Sequence, residues 1–255
     1  MKSNEGPLRG AGVLITRPAR QAGALAQKVA AVGGTPVTFP AIVILPPADP
    51  VALRRAHDAL HRFDYAVFVS ANAVEFGAPD PARWPASLVP FAPGQGTAEA
   101  LASVGITNVR VPVASQDSEG LLALPELMHA DGKRVLIFRG DGGREELAQG
   151  LRARGAKVEY VACYRRDTPA DAHGLDEAFA RSRIDAVTIT SSEGIDNLWS
   201  IVDPLTQARW STLPTFVPHP RIAEHARKLG LEAILTGPGD AGLMAGLLEW
   251  FAARH

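Results

Sequence analysis

Tyr65-Ala66-Val67-Phe68-Val69-Ser70-Ala71-Asn72-Ala73-Val74 passes from a five-residue apolar run, through a serine, into an Ala-rich helical pattern. Ala186-Val187-Thr188-Ile189-Thr190-Ser191-Ser192-Glu193-Gly194-Ile195 makes the same passage later in the chain. Short apolar runs that feed straight into helices are the signature of strands buried on both faces of a parallel sheet. Working outward, Val13-Leu14-Ile15 precedes a helical pattern over Gln21–Val32, with Leu25, Val29 and Val32 on one face. Val135-Leu136-Ile137-Phe138 precedes a glycine turn and a helix near 144–154. Strand and helix in alternation predict an α/β fold.

The chain also matches itself. Arg17 falls on Arg139 (139 − 17 = 122), and the same offset carries Leu25 onto Leu147, Val29 onto Leu151 and Gly33 onto Gly155. Asp64 and Ser70 fall on Asp185 and Ser191 (185 − 64 = 121). Ala98-Glu99 and Gly105 fall on Ala223-Glu224 and Gly230, and Ser118-Glu119-Gly120-Leu121 on Asp240-Ala241-Gly242-Leu243. Four blocks in one order at a nearly constant offset read as a duplication. Two similar domains follow, each a parallel sheet flanked by helices. A cut made on the repeat alone would fall near Asp131.

Composition narrows the function classes. The 255 residues carry 26 Lys+Arg against 27 Asp+Glu, a net charge of −1, which argues against a general nucleic-acid surface. One cysteine, Cys163, leaves no disulfide framework and no Cys-rich zinc site. No run of about 18 apolar residues appears, and Met1–Gly12 lacks the apolar segment of a signal peptide. A soluble, cytoplasmic, monomeric protein without a membrane partner is the expectation. His57 and His61 stand four apart on a polar helix beside Arg54, Arg55 and Asp58, a solvated face with no third metal ligand. No Gly-x-Ser-x-Gly elbow supports hydrolase chemistry.

Ligands of parallel sheets bind beyond the carboxyl ends of the strands. The residues expected there are Arg17, Ser70 and Asn72, Thr97 after Gly94-Gln95-Gly96, Ser118, Arg139 in Arg139-Gly140-Asp141-Gly142-Gly143-Arg144, Ser191 and Ser192, and His219 with Arg221. Ser70, Asn72, Ser118 and Ser191 are also good helix N-caps, and capping alone would explain any one of them. Together these positions offer backbone amides, hydroxyls and arginines, a set suited to an anionic small molecule. The Gly140–Gly143 turn lacks the spacing of a P-loop or a dinucleotide fingerprint. Tyr164 ends the alternating segment Val158–Tyr164, where spacing alone favours an aromatic packed on a neighbouring strand.

These residues resemble the uroporphyrinogen-III synthase family. Ile15-Thr16-Arg17-Pro18 with Gly33-Gly34 and Pro40, then Ser70-Ala71-Asn72-Ala73-Val74, are similar to its first blocks. Gly96-Thr97-Ala98, Ser118-Glu119-Gly120-Leu121, Arg139-Gly140 with Gly143-Arg144-Glu145, Val161–Arg166 and Thr190-Ser191-Ser192 follow in family order, from about Gly12 to Leu248. The resemblance implies two α/β domains that exchange ends: 1–38 with 167–255, and 44–158. A two-stranded antiparallel linker over 39–43 and 159–166 would join them, with Tyr164 facing the cleft.

The implied reaction is cyclisation of hydroxymethylbilane to uroporphyrinogen III, with inversion of the last pyrrole ring and loss of water. Its substrate is a linear tetrapyrrole with eight carboxylates, and neither a metal nor an organic cofactor is required. The resemblance gives Tyr164 the role of proton donor to the departing hydroxyl; a phenol, with an ordinary pKa of about 10, carries its proton at neutral pH. It makes Ser70, Thr97 and Ser191 substrate contacts. Where the family often has Thr, Ile222 precedes Ala223-Glu224, so His219 or Arg221 is expected to supply that polar contact. The alternatives are a two-lobed binding protein for an anionic small molecule, which duplicated lobes suit equally well, and a two-domain glycosyltransferase, which the nucleotide signals do not support.

Overall fold

The computed structural model describes residues 6–143, 145–181 and 184–254. Its strands, in chain order, are β1 (Gly12–Ile15), β2 (Thr35–Thr38), β3 (Val43–Leu45), β4 (Tyr65–Phe68), β5 (Val89–Phe91), β6 (Arg134–Gly140), β7 (Lys157–Asp167), β8 (Ala186–Thr188), β9 (Pro214–Val217) and β10 (Glu232–Leu235). They form two five-stranded sheets, ordered β10-β9-β8-β1-β2 and β3-β7-β6-β4-β5. The ladders from β10 through β2 are parallel, as are those joining β7, β6, β4 and β5. Residues 39–42, expected within a linker strand, carry no strand; Val43 opens β3 instead.

The inner strands β1, β4, β6, β8 and β9 bury both faces, which is why their sequence runs are apolar without alternation, whereas the edge strands β2, β3 and β10 are partly exposed. In β1, Leu14 packs into one cluster with Val187, Val217 and Trp210, while Val13 and Ile15 pack into another with Leu25, Val29 and Leu247. In β4, Phe68 stacks on Phe138 at 4.2 Å on one side, and Val67 meets Ile137 and Leu151 on the other. Among the described residues, no helix is long and apolar enough to cross a membrane.

The chain divides into two compact units, Met1–Val43 with Asp167–His255, and Ile44–Arg166. Asp131, the cut suggested by the repeat, lies inside the second unit. Pairing explains the difference. β1 takes β8 as its neighbour (Val13 with Ala186), and β6 takes β4 (Val135 with Tyr65), so each sheet combines strands from both copies of the repeat.

The duplication survives in the geometry. Asp185 Oδ2 accepts from the Gly12 amide at 2.9 Å, and the Asp185 amide donates to the Gly12 carbonyl. Asp64 does the same to Arg134: its Oδ2 accepts from the amide at 2.9 Å, and its own amide donates to the carbonyl. Gly33 and Gly155 close equivalent helices, both at φ 83°.

The Arg134 amide, helped by the Lys133 ammonium, holds the Asp64 carboxyl below the usual carboxylate range against a smaller opposing effect of burial. A carboxyl depressed on folding stabilises the protein fully above its unfolded pKa of about 3.9, and that contribution is lost as pH falls through the folded value. Asp64→Asn is therefore expected to melt lower than the parent at neutral pH. It should also lose less Tm than the parent on acidification from about pH 5 to about pH 2.5. Parallel acid limbs in thermal melts would contradict this.

Candidate active site

In each sheet the carboxyl ends of the strands carry the polar residues expected from sequence. In the first unit, Thr16 and Thr188 cross-link β1 and β8: Thr16 Oγ1 donates to the Thr188 carbonyl at 2.9 Å, and Thr188 Oγ1 to the Leu14 carbonyl at 3.0 Å. Arg17 follows directly, with 20% of its side chain exposed, and its Nη1 lies 2.7 Å from Asp240 Oδ1. The contact is an ion pair by distance but is not aligned as a hydrogen bond, and the buried Arg17 Nε has no hydrogen-bond partner. Lys28 Nζ approaches the second Asp240 oxygen at 3.8 Å.

Ser191 caps the helix Ser192–Ile201 by accepting from the Gly194 amide at 3.0 Å, and Ser192 is that helix's first residue. His219 caps the helix Pro220–Lys228 through Nδ1, which accepts from the Arg221 amide at 3.2 Å; both side chains are exposed. Ile222 is buried among Ile195, Val217 and Ala226, so its role is packing.

In the second unit, Ser70 Oγ accepts from the Ala73 amide at 3.2 Å and caps the helix Ala71–Gly77. Asn72 is the second residue of that helix and does not cap it. Thr97 is buried in the first turn of the helix Gln95–Ser103. Ser118 is not a cap either. Asp117 holds that position, its Oδ1 accepting from the Gly120 amide at 2.8 Å, because a capping oxygen reaches the amide three residues ahead. Ser115 Oγ donates to the other Asp117 oxygen at 2.5 Å.

Tyr164 is placed by an irregularity. β7 pairs with β6 as Arg139 with Ala162 and then Gly140 with Tyr164, so Cys163 is the extra residue of a bulge. Strict alternation would send Cys163 and Tyr164 to opposite faces; the bulge buries both in one cluster with Val161, Phe138 and Val74. The Tyr164 ring lies over Gly140, with 4% of the residue exposed, and its hydroxyl is 3.4 Å from Ser70 Oγ. Cys163 Sγ donates to the Arg139 carbonyl at 3.1 Å, and burial pushes its thiol up to about 12, which makes it an unreactive packing residue. Arg139 keeps 11% of its side chain exposed, and its Nη1 meets Glu145 Oε1 at 2.7 Å.

Tyr164 and Ser70 are thus brought together, while two of the three expected arginines, Arg17 and Arg139, are each joined to an acid. Those acids, Asp240 and Glu145, were not among the expected site residues. The one signal for Asp240 is the offset that sets it against Ser118; Glu145 stands in the Gly143-Arg144-Glu145 block, of which Arg144 lies outside the described residues. His57 Nε2 is 2.9 Å from the Gly77 carbonyl, a contact that accounts for one of the two helix histidines. Among the described residues, no cluster of three or more His, Cys, Asp or Glu could hold a metal ion.

Residues 23–240 match the family model for uroporphyrinogen-III synthase. The chain belongs to the uroporphyrinogen-III synthase family. It is 34% identical over 229 residues to the uroporphyrinogen-III synthase of Salmonella typhimurium, covering 87% of this chain and 93% of that protein. To the Escherichia coli protein of the same name it is 33% identical, with the same coverage. Among solved structures, the uroporphyrinogen-III synthetase of Helicobacter pylori superposes with a TM-score of 0.57 at 13% identity, over 96% of this chain and 99% of that one. A mutant uroporphyrinogen III synthase from Thermus thermophilus gives 0.55 at 18%, over 96% and 100%. At such identities these two structures speak for the fold: α/β, with parallel sheets flanked by helices. The family match begins within the helix after Arg17 and runs to Asp240, taking in Ser70, Arg139, Tyr164 and Ser191 but not Arg17 itself.

Proposed function

We propose that this protein cyclises hydroxymethylbilane to uroporphyrinogen III, inverting the last pyrrole ring and releasing water, in tetrapyrrole biosynthesis. The observation that carries this reading is the family match over residues 23–240, together with relatives named as synthases that this chain matches over nearly their whole length. Those relatives do not favour a two-lobed binding protein.

The chemistry asks little of the protein beyond orientation. The electron-rich pyrrole expels the hydroxyl as its nitrogen lone pair moves in, and one proton donor completes the departure as water. The cation left behind closes unaided at the unsubstituted carbon of the last ring. An enzyme must hold the chain so that the substituted carbon attacks first and a spiro intermediate forms, a task of positioning. In our reading Tyr164 donates the proton, with Ser70 beside its hydroxyl. Arg17, Arg139, Asn72, Thr97, Ser118, Ser191, Ser192, His219 and Arg221 receive the eight substrate carboxylates. Neutral donors, two acid-paired arginines and the exposed Arg221 suit a polyanion on a protein of net charge −1.

The finer architecture belongs to the same reading: domains 1–38 with 167–255 and 44–158, an antiparallel linker over 39–43 and 159–166, and a monomer that works in the cytoplasm. The test is product analysis. Fresh hydroxymethylbilane incubated with the protein should give mainly the type III isomer on chromatography. Type I alone, the spontaneous product, would overturn the proposal.

A further inference from the structure

Around Arg139 the structure builds more than one ion pair. The guanidinium lies over the Tyr160 ring at 4.7 Å, its Nη1 meets Glu145 Oε1 at 2.7 Å, and its Nε donates to the Gly142 carbonyl at 3.3 Å. Tyr160 Oη donates to the other Glu145 oxygen at 2.5 Å, so ring, hydroxyl, carboxylate and guanidinium close a cycle. Arg152 lies 5.4 Å over the same ring. That ring projects from the face of β7 opposite Val161 and Cys163, and packs with Val158. Two nitrogens of Arg139 are therefore spoken for.

The third, Nη2, faces Gly143, where a Cβ would fall 3.0 Å away. The absence of a side chain there gives the guanidinium room to lie against the loop, and among the described residues Nη2 has no hydrogen-bond partner. The arrangement also differs from the one around Arg17, the repeat counterpart of Arg139. Arg17 takes its acid from Asp240, but the residue matching Asp240 is Ser118, which carries no charge.

We infer that Glu145 and Tyr160 are positioning residues for Arg139, fixing its guanidinium so that the Nη2 edge meets one carboxylate of the substrate. This rests on the synthase reading and on Arg139 as a carboxylate contact. Glu145 locks the rotamer from the Nη1 side, the Tyr160 ring supports the guanidinium plane, and the Tyr160 hydroxyl keeps the carboxylate turned toward Arg139. An arginine held in this way loses less conformational freedom when the carboxylate arrives, and so binds it more tightly.

The experiment is steady-state kinetics on Tyr160→Phe and Glu145→Gln, each made alone and in combination with Arg139→Ala. Tyr160→Phe keeps the ring and removes only the hydroxyl. It should raise KM about three- to tenfold at unchanged kcat and Tm, and Glu145→Gln should do the same or more. In the Arg139→Ala background neither change should raise KM further. Asp58→Asn, which breaks the exposed pair with Arg83, is the control and should leave KM alone. An unchanged KM in Tyr160→Phe and Glu145→Gln overturns the inference, as does a rise that persists without Arg139. If the parent protein itself yields only type I product, the synthase reading has failed instead.

Discussion

Tyr164→Phe should fold as the parent does and lose about 100-fold in kcat for type III product, with KM little changed. Structure explains both halves. The ring is what packs: it lies over Gly140 in a cluster with Cys163, Val161 and Phe138, and phenylalanine keeps that volume. The hydroxyl contributes little to stability, since its contact to Ser70 Oγ is 3.4 Å, beyond the normal range for O–H···O bonds. What is removed is the one hydroxylic proton that the bulge in β7 turns to the Ser70 side of the sheet. Departure of water from the bilane then loses its phenolic donor and is left to the neighbouring Ser70 hydroxyl or to solvent. Chromatography separates this from a general failure of binding, because a variant that still orients the chain produces the type III isomer slowly, whereas one that does not yields type I. Near-normal turnover would remove Tyr164 from the acid role and leave orientation as the whole of catalysis.

How far the site could be read from sequence depends on the range of the interaction concerned. The strands are legible because burial on both faces writes itself into consecutive residues such as Ala66-Val67-Phe68 and Ala186-Val187. Caps are legible where the acceptor and its amide are three apart, as for Ser70 and Ser191, and they mislead where two candidates compete, as Asp117 and Ser118 do. The duplication is legible, and Asp64 and Asp185 show what preserved it: each clasps the first residue of a neighbouring strand. Strand exchange between the copies is not, since no local pattern tells β1 to pair with β8, more than 170 residues away. The partners of the rim arginines are hidden for the same reason. Arg17 finds Asp240 across nearly the whole chain, and the side-chain direction of Tyr164 turns on one unpaired residue, Cys163.

The block that repeats as Ser118–Leu121 and Asp240–Leu243 carries the other large effect, and one of the two residues its copies share is a glycine, at positions 120 and 242. A Cβ on Gly242 would fall 2.0 Å from the Gly237 carbonyl oxygen, and one on Gly120 would fall 1.8 Å from that of Ser115. In both units a loop carbonyl lies directly on the first turn of the helix that follows, and backbone cannot rotate away as a side chain can. Alanine has the better helix propensity by roughly 1 kcal/mol. Against that, moving the loop or the helix costs about 3 kcal/mol, the upper end for overpacking, and this should win. Gly242→Ala is thus expected to lower Tm by about 4–8 °C, the shift for the net ~2 kcal/mol in a chain of this size. Gly23→Ala, in the helix Ala19–Ala31 with nothing within 4 Å of the new methyl, should raise Tm slightly through propensity alone. Function should follow the first variant and not the second. Asp240 sits two residues before Gly242, so a displaced turn withdraws the acid from Arg17 and leaves a guanidinium whose Nε already lacks a partner without its ion pair as well. A Gly242→Ala protein that melts at or above the parent would show that the loop gives way without cost, and that the repeated glycine has some other cause.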